Sequence, residues 1–471
     1  MEGADDMREL EQYRIAMKGL PEGCTAAEAE AEKQKKLSVE VVDGVPGAMS
    51  CSEQTELFVR ASGEKTGMVY TQKLDENPAE VIAQALRNSE ASQRTEPEIM
   101  CSPAVWEQVQ AQRMAQGESE EILLTPEEEN QEAAVGRLLD FGKKRTAELK
   151  PYGRDGARIR VDLEQTILTM GLVNSNGMDV TASTCRYGVS VSMDGGYHGF
   201  VSARNLEEVK AEPFIDGIRQ RSLLELPVIP TQPGTYRAVL SSRVVNYILI
   251  TAWQMFTANR AQSGSTPLAG KLGQQVFSQC VTIRDYKGGK DSKNEVTCGF
   301  SWQIDCEGVP SQDVTLMENG VLKNWMYNMA SAAADGVVST GNAGRKALLS
   351  GNIHTTTVTV PKNFTMESGE ASLEELFEAC GDGVYVFENY DQFHALNVVS
   401  GDFAFPCKAA RIEGGKLTGL WEGLTMNGNV CRLFGCVEQV GRDRILEPMS
   451  MYDSYEVSGP SMLVSELRIS G

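Results

Sequence analysis

Hydrophobic positions change their period several times along the chain, and each change marks an expected element. The first 35 residues alternate charge with Ala, Leu and Met at helical spacing and read as helix. Strand-like runs follow at 38–42, 55–59 and 66–71, with Gly63 at the turn between the last two. "NPAEVIAQALRNSE" opens a helix, because Asn77 is a good N-cap and Pro78 suits the first helical position. Thr125-Pro126-Glu127-Glu128 repeats that signal. It begins a long amphipathic helix towards Glu148, with Leu138, Leu139 and Phe141 on its apolar side. From Arg158 the period falls to two. Asn176-Gly177 then predicts a hairpin turn between runs ending at Val173 and starting at Met178. A helix over 205–223 leads to "LPVIPTQPGTY", whose three prolines mark a domain boundary near residue 226.

The second half begins with a strand at 236–240 and an apolar helix at 244–258. A Gly/Ser-rich loop, strands at 276–283 and 295–302, and the connector "IDCEGVPS" follow. Val321, Leu322, Trp325, Met326 and Met329 fall at helical spacing, which predicts a helix over 319–335 capped by Gly336. "TTTVTVPK" alternates as a strand over 355–360, and Ser372 caps a short helix to Cys380. Short strands separated by Gly, Asn and Asp fill the remainder. The expected class is α+β: an α+β N-terminal domain (1–225) and a C-terminal domain (226–471) rich in antiparallel β-sheet with a few helices. The longest apolar run, 244–256, contains Asn246, Thr251 and Gln254 and is too short to span a bilayer. The N-terminal segment has no apolar core of the signal-peptide kind. Neither membrane insertion nor export is expected.

Composition narrows the partners. The 471 residues carry a formal net charge of -21, and no Lys/Arg-rich block offers a basic face. Nucleic acid is therefore not an expected partner. The 11 cysteines are odd in number and contain no CxxC pair, which reads as reduced, mostly buried thiols in a cytoplasmic protein.

Candidate chemistry is sparse. "VVSTGNAGRK" (337–346) looks at first like a phosphate loop, but Lys346 lies five positions past Gly341 and the stretch follows a helix rather than a strand. It reads instead as a helix-to-strand turn in which Gly341 and Gly344 serve backbone shape and Arg345 anchors to a carboxylate or to carbonyls. The three histidines, His198, His354 and His394, are too far apart for a local zinc motif. Cys380 with His394 could form a nucleophile pair, though nothing in the flanking sequence supports it. Asp305 and Glu307, at i and i+2, could share a proton or hold a cation; the alternative is that they bond backbone N–H groups of the turn before Gly308-Val309-Pro310. Trp253, Trp302, Trp325 and Trp421 read as core.

Eight stretches together carry more than any one motif. "LVNSNGMDV" (172–180), "STPLAGKLGQQVFS" (265–278), "DCEGVPS" (305–311), "NGVLKNWMYNMASA" (319–332), "VVSTGNAGR" (337–345), "HALNVVSGDFAF" (394–405), "VEQVGRD" (437–443) and the terminal "SGPSMLVSELRISG" resemble, in order and spacing, the TldD/PmbA family, also known as the modulator of DNA gyrase family. The resemblance covers most of 160–471. It implies the two-part fold above and a dimer that encloses a cavity. It also implies a catalytic subunit whose helix carries HExxxH, with a later Cys completing a zinc site that hydrolyses unfolded peptides. The corresponding helix here, "VVNYILITAWQMFTANR" (244–260), has no His and no Glu, and only Cys436 lies near a ligand position. The C-terminal signature is similar to the non-catalytic PmbA (TldE) type. No metal or cofactor is therefore expected in this chain; zinc would reside in a TldD-like partner subunit. His394, Asn397, Ser400, Gly401 and Asp402 match the family's HxxNxxSGD stretch and are candidates to line the substrate cavity, together with Asp305, Glu307 and Arg345. Two alternatives stand beside this reading: a homodimeric peptide-binding or scaffold protein without enzymatic activity, and a hydrolase using Cys380 or Cys407. The family's gyrase label gains no support from the charge of the chain.

Overall fold

A computed structural model describes residues 7–92, 98–115, 130–194, 196–288, 303–345, 357–391, 393–448 and 455–471. The first half contains α1 (Glu11–Ala16), β1 (Ala26–Val42), β2 (Val45–Ser62), β3 (Thr66–Thr71), α2 (Pro78–Asn88), α3 (Pro103–Ala115), α4 (Gln131–Leu149), β4 (Ile159–Asn174), β5 (Asp179–Met193), β6 (Tyr197–Ala203) and α5 (Glu212–Arg221). Its strands form an antiparallel sheet in the order β3-β2-β1-β4-β5-β6. One face packs Ala27, Ala29, Ala31, Leu57 and Val59 against Leu10, Tyr13 and Val81, Ile82 and Ala85 of α2. Farther along the same face, Val39, Val41, Val161 and Leu163 meet Leu138 and Leu149 of α4. A fully buried Leu or Val of this kind contributes about 1.5–3 kcal/mol. α4 approaches so closely that a Cβ at Gly142 would lie 2.6 Å from Val41 Cγ2.

The second half contains β7 (Gly234–Leu240), α6 (Ser242–Ala252), α7 (Ala258–Gln262), β8 (Ile283–Asp285), β9 (Val314–Glu318), β10 (Val321–Leu322), α8 (Met329–Asp335), β11 (Ala343–Gly344), β12 (Val358–Thr359) and β13 (Asn363–Met366). It continues with α9 (Leu373–Cys380), β14 (Gly383–Asn389), β15 (Asp402–Glu413), β16 (Lys416–Asn429), α10 (Val430–Gly435), β17 (Val437–Val440), β18 (Ile445–Pro448), β19 (Glu456–Gly459) and β20 (Met462–Ser470). One sheet runs β10-β9-β8-β13-β19-β18. The other runs β16-β15-β14-β7-β20-β17, and a further pairing of Thr425–Asn427 with Arg468–Ser470 joins β16 to β20. That pairing closes β7, β14, β15, β16 and β20 into a ring. α6 packs against β14 of the ring and β19 of the other sheet, inside the largest apolar core. The two halves meet through Leu172, Met178, Val309 and Met329, and through Ser202 Oγ donating to Glu456 Oε1 at 2.7 Å. The architecture is α+β with mostly antiparallel sheets, as the pattern implies.

Several elements differ from the sequence reading. The N-terminal helix is confined to α1 and a preceding 3-10 turn; from Ala26 the chain is strand. Ala27, Ala29 and Ala31 are buried at period two, and pairing on both sides of β1 overrides the helix preference of Ala and Glu. The expected strands at 38–42 and 55–59 are parts of the longer β1 and β2. The helix over 205–223 shortens to α5, and the strand at 276–283 to β8. Val276 and Phe277 donate instead to Gly320 O in a loop. The helix over 319–335 is replaced by a hairpin, an extended stretch and the short α8. Asn319 and Gly320 both take positive φ (48° and 77°), as a two-residue hairpin turn requires. α8 starts only at a capping box made by Asn328 and Ser331. Asn77, Ser372 and Gly336 cap helices as expected. The N-cap at Thr125, the strand at 295–302, Trp302, Lys346, His354 and the start of the 355–360 strand lie outside the described residues.

Candidate functional site

Three places carry the residues singled out in the sequence. The first is α6, where the resemblance would put zinc ligands. Ser241 caps it, accepting from Val244 N at 3.2 Å. Val244, Val245, Ile248, Leu249, Ile250 and Ala252 are all buried. Residues 244–260 contain no His, Cys, Asp or Glu. Cys436 donates weakly to Leu433 O and Glu466 O. Among the described residues no three His, Cys, Asp or Glu side chains are placed to share a metal. The residues of α6 do not fit a zinc ion, which takes three protein ligands and keeps an open position when catalytic.

The second place is the junction of the halves. Asp305, Glu307 and Arg345 come together there, all buried. Asp305 Oδ1 accepts from Glu307 N and Val309 N, and Oδ2 from Ala343 N, each at 2.9 Å. This is the turn-bonding arrangement considered from sequence. Glu307 Oε2 accepts from Met329 N at 2.9 Å, at the start of α8. Burial raises both carboxyls, and the Asp305 charge raises Glu307 further. Three N–H donors to Asp305, against one to Glu307, offset part of the burial cost of an ionised Asp305. Arg345 pairs with Glu30 through Nε, lies 3.8 Å from Glu28 and sits 4.7 Å over the Phe58 ring. Arg60 pairs with Glu28 at 2.7 Å and Glu98 at 2.9 Å. Sequence reasoning missed Glu28, Glu30 and Arg60. The Ala-Glu alternation of 26–32, read as a strand, would have placed the glutamates together on one face. In "VVSTGNAGRK", Gly341 has φ 70°, but Gly344 has an ordinary φ and lies in β11, where a Cβ would be 2.4 Å from Val360 Cγ2.

The third place is the loop before β15. Asn397 Oδ1 accepts from Val399 N at 2.9 Å and Ser400 N at 3.3 Å. Gly401 has φ 81° and donates to Asn397 O at 2.7 Å. Ser400 Oγ accepts from Asp402 N. Asn429 Nδ2 donates to Ser400 O and to Asp402 Oδ1, both at 2.9 Å. Asn429 and Ser400 hold the Asp402 carboxyl below its usual range. His394 is 74% exposed and pairs with Asp391 at 2.6 Å. Asn429 also lines an open cleft of ≈ 410 Å³ at one mouth of the ring, with Phe403, Asn427, Arg432, Glu466 and Arg468 among its walls. The sequence reading did not single out these cleft residues, which come from separate strands. Cys380 is buried and its thiol is raised by burial, and no hydrogen bond or ion pair joins it to His394 among the described residues. Burial also pushes the Cys407 thiol up to about 12. Neither thiol is poised as a nucleophile.

A closed strand ring, a second sheet and an enclosed apolar helix define a class of two-part α+β protein with a cleft at the ring mouth. Residues 233–471 match the PmbA/TldA metallopeptidase C-terminal domain, and the chain belongs to the PmbA/TldD family. It is 29% identical over 272 residues to an uncharacterized protein of Methanocaldococcus jannaschii, covering 56% of this chain and 59% of that one. It is 22% identical over 324 residues to a metalloprotease PmbA homolog of Buchnera aphidicola, covering 65% and 63%. The matched regions thus span about three-fifths of these curated relatives. Among solved structures, a putative modulator of a DNA gyrase from Thermotoga maritima superposes with a TM-score of 0.74 at 22% identity, covering 98% of each chain. TldE from Thermococcus kodakarensis gives 0.72 at 20%, covering 97% of this chain and 98% of its own. These likenesses show the fold. No helix among the described residues is long and apolar enough to cross a membrane.

Proposed function

We propose that this chain is a zinc-free subunit of a cytoplasmic metallopeptidase, paired with an HExxxH-bearing chain of the same fold, and that it holds unfolded peptide beside the partner's metal. The observation that carries this reading is α6. In a region matching a metallopeptidase domain, residues 244–260 offer no metal ligand, and the helix is packed as core. A hydrolase that activates water on zinc needs its substrate held in extended form near the ion. A companion chain supplies that by closing a chamber and offering polar groups to a peptide backbone. The loop His394–Asp402 and the cleft beside Asn429 are the surfaces proposed for this contact.

The test is to purify the chain alone, measure bound zinc and assay cleavage of a fluorogenic unstructured peptide, then add an HExxxH-bearing relative from the same cell. The expected result is no stoichiometric zinc, no cleavage alone, and activity in the mixture. Zinc together with cleavage by the isolated chain would overturn the reading.

A further inference from the structure

The cleft at the ring mouth has a polarity that no part of the proposed function requires. β16 and β20 pair only over Thr425–Asn427 and Arg468–Ser470. Beyond Asn427 the two strands part: β16 passes into α10, whereas β20, paired with β7 along its other edge, goes on to pair with β17. The fork opens the cleft of ≈ 410 Å³, within the size range of small-ligand sites, which often lie in barrel mouths. Its lining includes Phe403, Leu433 and Leu467, almost fully buried members of the apolar core that show only their edges to the cleft. Its rim is charged. Arg432 is bonded to Glu466 at 2.6 Å, so that pair is neutral overall. The Arg468 side chain is exposed and has neither a carboxylate nor a hydrogen-bond partner among the described residues. Asn427 Nδ2 is taken by Thr425 O and Ser470 Oγ, and Asn429 Nδ2 by Ser400 O and Asp402 Oδ1. Asp402 is thus tied to Asn429 on the loop side.

The charged side chains of the lining, two arginines and one glutamate, leave one excess positive charge in a chain of net charge -21. An exposed guanidinium in a lining that also shows apolar edges is complementary to a carboxylate attached to an apolar group. We propose that this cleft binds the free C-terminal end of an extended peptide, with Arg468 on the terminal carboxylate and the last side chain on Phe403, Leu433 and Leu467. The inference rests on the peptide-holding reading and gives it a direction: the subunit grips the chain end.

The test compares two forms of one short fluorescein-labelled peptide ending in leucine, a free acid and a C-terminal amide, by fluorescence anisotropy with the full-length chain. The acid is expected to bind at least about tenfold tighter, the scale of a charge-assisted hydrogen bond. In Arg468→Ala the preference is expected to vanish, and in Arg468→Lys to return in part; far-ultraviolet circular dichroism checks the fold of both variants. Equal binding of acid and amide by the wild type overturns the carboxylate site and leaves the peptide-holding reading standing. A preference that survives in Arg468→Ala overturns the assignment to this cleft. Binding of neither peptide overturns the inference and the reading together.

Discussion

Arg345 at the junction of the halves is the most informative single side chain to remove. It is 8% exposed, and its guanidinium is the cation paired with Glu30, which is 3% exposed. Glu28 is engaged chiefly by Arg60 at 2.7 Å. Arg345→Met therefore leaves Glu30, whose carboxyl burial already raises to about 7, with no close cation, so it must stay buried as an ion or take up a proton, and Phe58 loses the charge stacked 4.7 Å above its ring. Breaking one side of a buried pair costs about 3–5 kcal/mol, of which a desolvated stacked cation accounts for up to about 2. The folded fraction would fall relative to the unfolded by on the order of a hundredfold or more. The assay is urea denaturation followed by near-ultraviolet circular dichroism, reading the first transition because a chain with two cores need not unfold in one step. The double variant Glu30→Leu/Arg345→Met removes both charges and is expected to recover most of the loss, since apolar replacement of a whole buried pair is often neutral. A loss below about 1 kcal/mol in the single variant, or a double variant as damaged as the single, would refute the junction account.

Other expectations follow from the same geometry. The Glu307 carboxyl is raised, so between the ordinary carboxylate pKa and its own the folded state holds a proton that the unfolded state has lost; stability should fall as pH rises through that window, and Glu307→Gln should flatten the slope in thermal melts against pH. Gly341→Ala should cost about 1–3 kcal/mol, since φ is 70° and the new Cβ would lie 2.5 Å from Pro310 O; an unchanged denaturation midpoint would show that the turn relaxes freely. Exposed Cys51 and Cys280 should alkylate well before buried Cys101, Cys306, Cys380 and Cys407, as read by peptide mass spectrometry; early labelling of Cys380 would revive a thiol mechanism.

Local signals read well wherever one residue forces the backbone. Asn77, Ser372, Gly336 and Asn176-Gly177 each impose a cap or turn through their own chemistry, and each holds. The failures share a cause in long-range pairing. "AAEAEAEK" is helix-prone alone, yet becomes strand because β2 and β4 bind it from both sides. The run 319–335 has helical spacing, but Asn319-Gly320 is a stronger, local instruction for a hairpin, and it prevails. The buried charges follow the same rule. Arg345 reads as an anchor to a carboxylate or to carbonyls, and it has both, but Glu30 lies 315 residues away and no periodicity points to it. The cleft is assembled from β7, β15, β16, β20 and α10, so its lining is scattered along the sequence and becomes a site only through the ring. The loop His394–Asp402 was visible because it is contiguous. Its tie to the cleft through Asn429 was not.

α6 connects the fold to the proposed division of labour. A helix that serves a metal must leave one face to ligands and substrate. α6 keeps only a narrow outer side, where exposed Arg243 donates to half-buried Tyr247, and the rest of the helix is buried. β19 comes so near that a Cβ at Gly459 would lie 2.7 Å from Val245 Cγ1 and 3.0 Å from Leu249 Cδ1. Asn246, fully buried, is spent on structure, its Nδ2 donating to Ile445 O at 2.9 Å. Introducing a histidine or glutamate among these apolar side chains would bury a polar group, at about 1–3 kcal/mol or more for each one left without a hydrogen bond. Under the proposed reading, then, the absence of ligands and the close packing of the helix go together. In that reading the helix holds the ring against the second sheet, and what the chain contributes to peptide hydrolysis comes from surfaces beyond it, the mouth of the ring with the exposed Arg468 side chain among them.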